Sequence, residues 1–192
     1  MTEPETYRPT LEDLLAREAI RDCIYRYSHG IDRRDRETLR LCYWPDATDD
    51  HVVFSGNAYE FIDFIMPFLE TLKSSTHTMS NILMRVDGDK ARAETYWSVF
   101  HREPGEDGAE DYDYLAGGRF LDRFERRDGE WRIASRVLIR DWYQVIHGTG
   151  DWAKYLRPLE GPHGSQKETD PVRALFGTLG GTAGPVSTSA SA

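Results

Sequence analysis

The chain has 192 residues, of which 39% are hydrophobic and 12% aromatic, a composition that suits one domain with a core of its own. Its formal net charge of −9 repels phosphate backbones and anionic lipid, which argues against nucleic acid and membrane as partners. No apolar run has the length of a membrane span, and Met1 to Glu5 lack the pattern of a secretion signal, so we expect a cytoplasmic protein.

The first part of the chain predicts helices. Thr10 followed by Asp13 has the form of a capping box, and apolar residues then recur at helical spacing as far as Ile31. A second, short helix is predicted from Arg36 to Trp44, because Pro45 cannot continue it.

An extended strand is then predicted from Ala47 to Phe54, and a third helix from about Tyr59 to Leu72 with a kink at Pro67. After this helix the apolar residues alternate with a period of two, which is typical of strands. Turn signals at Asp87-Gly88 and Asp128-Gly129 separate neighbouring strands. The predicted strands, which should form an antiparallel meander, are His77–Val86, Ala91–Arg102, Tyr112–Arg126 and Glu130–Val145.

The C-terminal region has a different composition from the rest. After His147 the chain is enriched in Gly, Pro, Ser and Thr, and roughly the last dozen residues are expected to be disordered. The aromatic segment between Trp142 and Tyr155 is predicted to fold back as a lid over a pocket or as a dimer contact. We therefore divide the chain into a domain over residues 1–150 and a lid and tail over 151–192.

Three helices followed by one antiparallel sheet predict the α+β class. A strongly curved sheet packed against these helices forms a cone-shaped α+β barrel, which encloses a pocket at its open end. The sheet leaves one face to cover, and Phe124, Val137 and Leu138 lie nearby, so we expect self-association. Arg136 alternates with apolar residues on the last strand and is assigned to its solvent or subunit face.

Asp32 and His77 stand out as a candidate catalytic pair. A carboxylate that accepts the Nδ1 proton of an imidazole leaves the other nitrogen as a positioned general base near neutral pH. Asp32 is also compatible with a capping role at a helix end, and Asp35 competes with it for the same role. His77 is also compatible with a purely structural position at the start of a strand. His101 shares a strand face with Trp97 and can face the pocket, although its place near an acidic loop suits a solvated histidine equally.

The sequence gives little support for a metal. Cys23 and Cys42 lie in apolar helical patterns and are predicted to be buried thiols. Asp49 and His51 lie on one face of an extended segment, which allows a metal site completed by another histidine. Because no ligands have the spacing of a known metal motif, we expect no metal. We also expect no other cofactor.

Several segments together resemble the SnoaL-like members of the nuclear transport factor 2-like superfamily over about residues 10–147. They are Gly30–Asp35, Pro45–His51, Thr76-His77, Gly117–Phe124 and Arg127–Ala134. Within that superfamily the chain is most similar to the scytalone dehydratase and hexachlorocyclohexane dehydrochlorinase branch, which pairs an aspartate on the first helix with a histidine at the start of the sheet. The resemblance implies that Asp32 and His77 form this pair.

The same resemblance bears on the pocket. His51 takes the place of a dehydratase tyrosine that polarises the substrate, and His101 approximately matches a second dehydratase histidine. The dehydratases' other tyrosine is Ile31 here, and their serine and asparagine fall at Gly118 and Phe120, which argues against scytalone as the substrate.

We therefore predict a cofactor-independent lyase that acts on an aromatic or polycyclic small molecule. Dehydration, dehydrohalogenation, retro-aldol loss of formaldehyde and double-bond isomerisation all fit such a base. The predicted substrate-binding residues are Tyr27, Tyr43, His51, Trp97, His101 and Phe120.

The alternatives are a ketosteroid-isomerase-like or polyketide-cyclase-like enzyme, in which a carboxylate takes the proton, and a non-catalytic subunit such as the small subunit of a ring-hydroxylating dioxygenase. The resemblance also implies a homodimer or homotrimer.

Overall fold

The computed structural model describes residues 8–149, 164–165 and 169–176. Its helices are α1 (Leu11–Asp32), α2 (Arg36–Arg40), α3 (Ala58–Thr71) and α4 (Val172–Phe176), with a 3-10 turn at Glu106–Gly108. Its strands are β1 (Tyr43–Asp50), β2 (Ser55–Asn57), β3 (Ser74–Asp87), β4 (Lys90–Glu103), β5 (Tyr112–Arg127) and β6 (Glu130–Ile146). In these described ranges no helix is both long enough and apolar enough to cross a membrane. The predicted disorder at the C-terminus lies outside them. Of the segment predicted to fold back, Trp142 to Ile146 instead continue β6, and residues 150–155 lie outside the described ranges.

Helix α1 begins at the predicted capping box and carries Asp32 at its end. The Thr10 side chain accepts from the Asp13 amide at 3.1 Å, and the Asp13 carboxylate accepts from the Thr10 amide at 2.8 Å. The buried face of α1 includes Ile20 and Ile24, each of which contributes roughly 1.5–3 kcal/mol by its removal from water. Packing of this face against the sheet places Asp32 beside β3.

The six strands form one curved, unclosed sheet in the order β2-β1-β6-β5-β4-β3. Strands β3 to β6 form the predicted antiparallel meander, which is confirmed. Strand β1 pairs in parallel with β6, a contact the sequence analysis did not predict.

The predicted second helix is wrong beyond Arg40, because Tyr43 and Trp44 already belong to β1. Burial of the Tyr43 side chain and pairing with β6 override the local helical pattern. Pro45 lies where the β1–β6 register is irregular, so its missing amide costs no regular ladder hydrogen bond.

Two register shifts between β5 and β6 mark bulges that contribute to the curvature of the sheet. The register of β5 against β6 shifts between Gly117 and Gly118, where a Cβ on Gly118 would lie 1.9 Å from the carbonyl oxygen of Ile139. A second shift leaves Ala134 of β6 unpaired and reverses which side chains of β6 point inward. Arg136 is consequently buried in the core, which corrects its assignment to the outer face.

The outer face of the sheet carries a row of apolar side chains. Leu83, Leu121 and Val137 are exposed and occupy paired register positions together with Glu94. Of the residues expected on this face, Phe124 is fully buried and Leu138 points into the interior, so only Val137 belongs there. The expected self-association stays a prediction.

Candidate active site

The structure brings Asp32 and His77 into direct contact. The Asp32 Oδ1 atom lies 2.7 Å from Nδ1 of His77 and accepts a hydrogen bond from the Ser75 hydroxyl at 3.0 Å. The other oxygen, Oδ2, accepts from the His77 backbone amide at 2.8 Å. With Nδ1 donating to Asp32, the second ring nitrogen, Nε2, carries the lone pair. Among the described residues, no side chain or backbone group is hydrogen-bonded to this nitrogen.

His77 opens into an apolar cavity between α1, α3 and the concave face of the sheet. The inner part has a volume of about 130 Å³, and an adjoining outer part of about 630 Å³ leads towards β5 and β6. The side chains that line both parts are His51, Ile65, Phe68, Trp97, Val99, His101 and Leu138. The inner wall also includes Tyr27, Ile31, Phe61, Leu69, His77 and Phe120.

His101 faces this cavity and not the solvent. Its ring lies 5.7 Å from that of His77, and 8% of its surface is exposed. Burial lowers the pKa of His101 to about 3, so the imidazole is neutral. Within the described part of the chain its Nε2 atom is buried without a hydrogen-bond partner, which leaves it free to bind a polar group of a ligand.

His51 belongs to a second carboxylate–imidazole pair. Its Nδ1 atom lies 2.5 Å from Oδ1 of Asp49, and the other Asp49 oxygen accepts from the Tyr43 hydroxyl at 2.6 Å. The His51 ring stacks on Phe61 with 4.2 Å between centroids and lines both parts of the cavity. Among the described residues no group of three potential metal ligands converges, and Asp49 serves His51 and Tyr43 instead.

The remaining predicted substrate-binding residues divide into two groups. Tyr27, Trp97 and Phe120 line the inner cavity. Tyr43 does not line either part of the cavity; it is fully buried and supports Asp49, so its predicted substrate contact is corrected to a supporting role. Asp35, the competitor of Asp32, caps α2 through the Thr38 amide at 3.1 Å and pairs with Arg173 at 2.8 Å.

Behind the cavity lies a buried ion pair that the local sequence pattern does not predict. Arg136 donates two hydrogen bonds of 2.7 Å to Asp122, and both side chains are 0% exposed. The guanidinium carbon lies 4.2 Å from the ring centre of Tyr27 and 3.9 Å from that of Phe120. The pair therefore supports two aromatic side chains of the cavity wall.

A model of the SnoaL-like domain matches residues 12–137. The chain belongs to the SnoaL-like domain family. This confirms the resemblance stated from the sequence, and the curved α+β fold agrees with it. No curated protein sequence matches the chain.

Solved structures share the fold of this SnoaL-like domain at low sequence identity. A type 2 hexachlorocyclohexane dehydrochlorinase, LinA, is 18% identical with a TM-score of 0.66, covering 77% of this chain and 97% of its own. A scytalone dehydratase-like protein from Novosphingobium aromaticivorans is 21% identical with a TM-score of 0.61, covering 69% and 88%. A cystatin-like-fold protein from Nostoc punctiforme is 18% identical with a TM-score of 0.55, covering 70% and 96%. The structural neighbours of this SnoaL-like domain thus include enzymes.

Proposed function

We propose that this SnoaL-like protein is a cofactor-independent lyase in which His77 removes a proton from carbon. The observation that carries the proposal is the 2.7 Å contact between Asp32 and Nδ1 of His77 at the wall of an apolar cavity. Asp32 holds the imidazole in the tautomer whose Nε2 accepts the proton and stabilises the imidazolium that forms. General-base help of this kind is worth about 10²- to 10⁴-fold, so the substrate needs an acidified C–H bond.

The cavity supports an aromatic or polycyclic substrate. The inner part, at about 130 Å³, is close in size to engineered apolar cavities of about 150 Å³ that hold benzene. It suits one ring or the reacting carbons beside His77, and the outer part suits the remainder of the molecule. Tyr27, His51 and His101 are polar groups in this largely apolar lining that can bind a carbonyl, phenolate or leaving oxygen.

Geometry favours the imidazole over the carboxylate as the base. Both oxygens of Asp32 already accept hydrogen bonds, from Ser75 and from two donors of His77. An isomerase or cyclase of the ketosteroid-isomerase type needs a carboxylate that is free to take the substrate proton. A non-catalytic subunit needs no oriented imidazole in its cavity.

The test uses purified full-length protein and a panel of aryl ketones that carry a hydroxyl, a chloride or an aryloxy group beta to the carbonyl. We expect loss of the leaving group, with Asp32→Asn and His77→Gln each reducing kcat/KM by about 10²- to 10⁴-fold at a melting temperature close to wild type. Asp22→Asn, at an exposed position on the same helix, is the matched control and should keep full activity.

Full activity in either cavity variant would refute the assignment of the base. If the substrate proton returned to another carbon without loss of the leaving group, the isomerase alternative would replace the lyase.

A further inference from the structure

The Asp49–His51 pair places a second imidazole in the cavity that His77 lines. This pair comes from a different part of the fold. Asp32 and His77 join α1 to β3, whereas Asp49 lies on β1 and His51 directly follows that strand. The Asp49 side chain is 0% exposed and that of His51 is 16% exposed. With Nδ1 bound to Asp49, Nε2 is the atom of His51 that remains for a ligand.

The surroundings of Asp49 favour a proton on His51. Among the described residues, the side-chain partners of Asp49 are His51 and the hydroxyl of Tyr43. The phenol is neutral because burial raises the pKa of Tyr43 far above its ordinary value. The neighbouring carboxylate, Asp122 on β5, is already matched by Arg136 on β6 through two hydrogen bonds. Since a buried carboxylate is costly without a cation, His51 is the group left to supply that charge.

The surroundings of Asp32 differ. Its charge is stabilised by the Ser75 hydroxyl and a backbone amide in addition to the imidazole, so these dipoles replace part of what a cation would supply. The nearby ring of His101 is neutral, because burial holds its pKa at about 3. Among the described residues the Asp32 carboxylate thus accepts from more donors besides its imidazole than the Asp49 carboxylate does, so it depends less on a charged imidazole.

We propose that His51, oriented and charged by Asp49, is the general acid that protonates the leaving group when His77 removes the substrate proton. This rests on the proposed lyase function and specifies its substrate class. A leaving group that is a poor anion, such as hydroxide, alkoxide or aryloxide, gains most from an acid, whereas chloride gains little. The preferred substrate is thus a beta-oxygenated aromatic carbonyl compound.

The step balances without another reactant. The Nε2 atom of neutral His77 takes the proton from the carbon beside the carbonyl, and the C–H electron pair becomes the new C=C bond. The bond from the beta carbon to oxygen breaks, its electron pair stays on oxygen, and that oxygen takes the Nε2 proton of the His51 imidazolium. The products are an unsaturated ketone and an alcohol, phenol or water. One proton then passes through solvent from His77 to His51 to restore the starting state.

The first experiment needs no substrate. In a nitrogen-15 NMR spectrum of the full-length protein, with the six histidines assigned by single variants, His51 should carry protons on both ring nitrogens at neutral pH and His77 on one. Asp49→Asn should remove the second proton of His51, whereas Asp50→Asn, its exposed neighbour, should leave it in place. A singly protonated His51 at neutral pH would overturn the proposal.

The second experiment measures how strongly the rate depends on the leaving group. The probes are beta-aryloxy propiophenones whose phenols range from para-nitrophenol to unsubstituted phenol. In the wild type kcat/KM should depend weakly on the acidity of the phenol. In His51→Asn the para-nitrophenoxide substrate should lose only a few-fold, and the phenoxide substrate about 10²- to 10⁴-fold. His77→Gln should lower every rate to a similar degree.

A positioning role is tested with Asp49→Asn and with Tyr43→Phe, which keeps the buried ring and removes only its hydroxyl. Asp49→Asn should steepen the leaving-group dependence as His51→Asn does, and Tyr43→Phe should change rates by only a few-fold.

Equal losses for all leaving groups in His51→Asn would show that His51 only shapes the cavity and would overturn the proposal. Failure of the lyase function itself gives a different result, because wild type and His77→Gln would then be equally inactive. In that case the NMR experiment alone would decide whether His51 carries two ring protons.

Discussion

The buried Asp122–Arg136 pair gives the sharpest stability prediction. Asp122→Asn leaves a guanidinium that is 0% exposed, held between the rings of Tyr27 and Phe120, without its counter-charge. Removing one partner of such a pair costs about 3–5 kcal/mol, because the charge that remains cannot regain its hydration. The two hydrogen bonds of 2.7 Å that are lost form part of this cost.

Urea denaturation followed by tryptophan fluorescence measures the free energy of unfolding. The double variant Asp122→Leu with Arg136→Met removes both charges at similar volume and should lie within about 1–2 kcal/mol of wild type or above it. Arg136→Lys keeps the charge but loses the planar two-donor contact, so it should lie between wild type and Asp122→Asn. The reasoning is refuted if Asp122→Asn costs less than about 1 kcal/mol, or if the double variant is less stable than the single one.

Two further predictions concern pH and the bulge in the sheet. The pKa of His101 is lowered from 6.5 to about 3 by burial and by His77, so the folded state disfavours its proton. The free energy of unfolding should fall by up to about 1.4 kcal/mol per pH unit as pH decreases from 6.5 towards 3. In urea titrations at several pH values, His101→Gln should flatten this pH dependence. An unchanged pH dependence in the variant would assign the effect to other groups. Gly118→Ala should abolish folding or cost more than about 2 kcal/mol by thermal melting, since its Cβ would lie 1.9 Å from the Ile139 carbonyl oxygen. For Gly164→Ala the nearest atom among the described residues lies 3.9 Å from the added Cβ, so this control should be neutral. A stable Gly118→Ala would contradict the packing argument.

Several features of the fold were predictable because neighbouring residues determine them. The capping box at Thr10 and Asp13 starts α1 through contacts three residues apart. The turns after Asp87 and Asp128 use glycines with positive φ at Gly88 and Gly129, the conformation that an Asp-Gly turn requires. Apolar alternation then identified the long strands between these turns.

Errors arose where a distant strand decides the outcome. The segment from Tyr43 has a helix-compatible pattern, yet it becomes β1 because β6 offers it a parallel partner and the core accepts the Tyr43 ring. The alternation before Ala134 predicts that Arg136 points outward, but the bulge at Ala134 reverses which side chains of β6 point inward. Neither the partner strand nor the bulge leaves a clear signal in the local sequence.

The functional site also combines features that the sequence predicts with features that depend on distant parts of the chain. The sequence by itself, with its resemblance to the SnoaL-like family, singled out Asp32 and His77 and placed Asp49 and His51 on one face of a segment. Only the tertiary structure decided that Tyr43 supports Asp49 and that both histidines open into one cavity, because the fold joins residues from α1, β1 and β3 across a curved sheet.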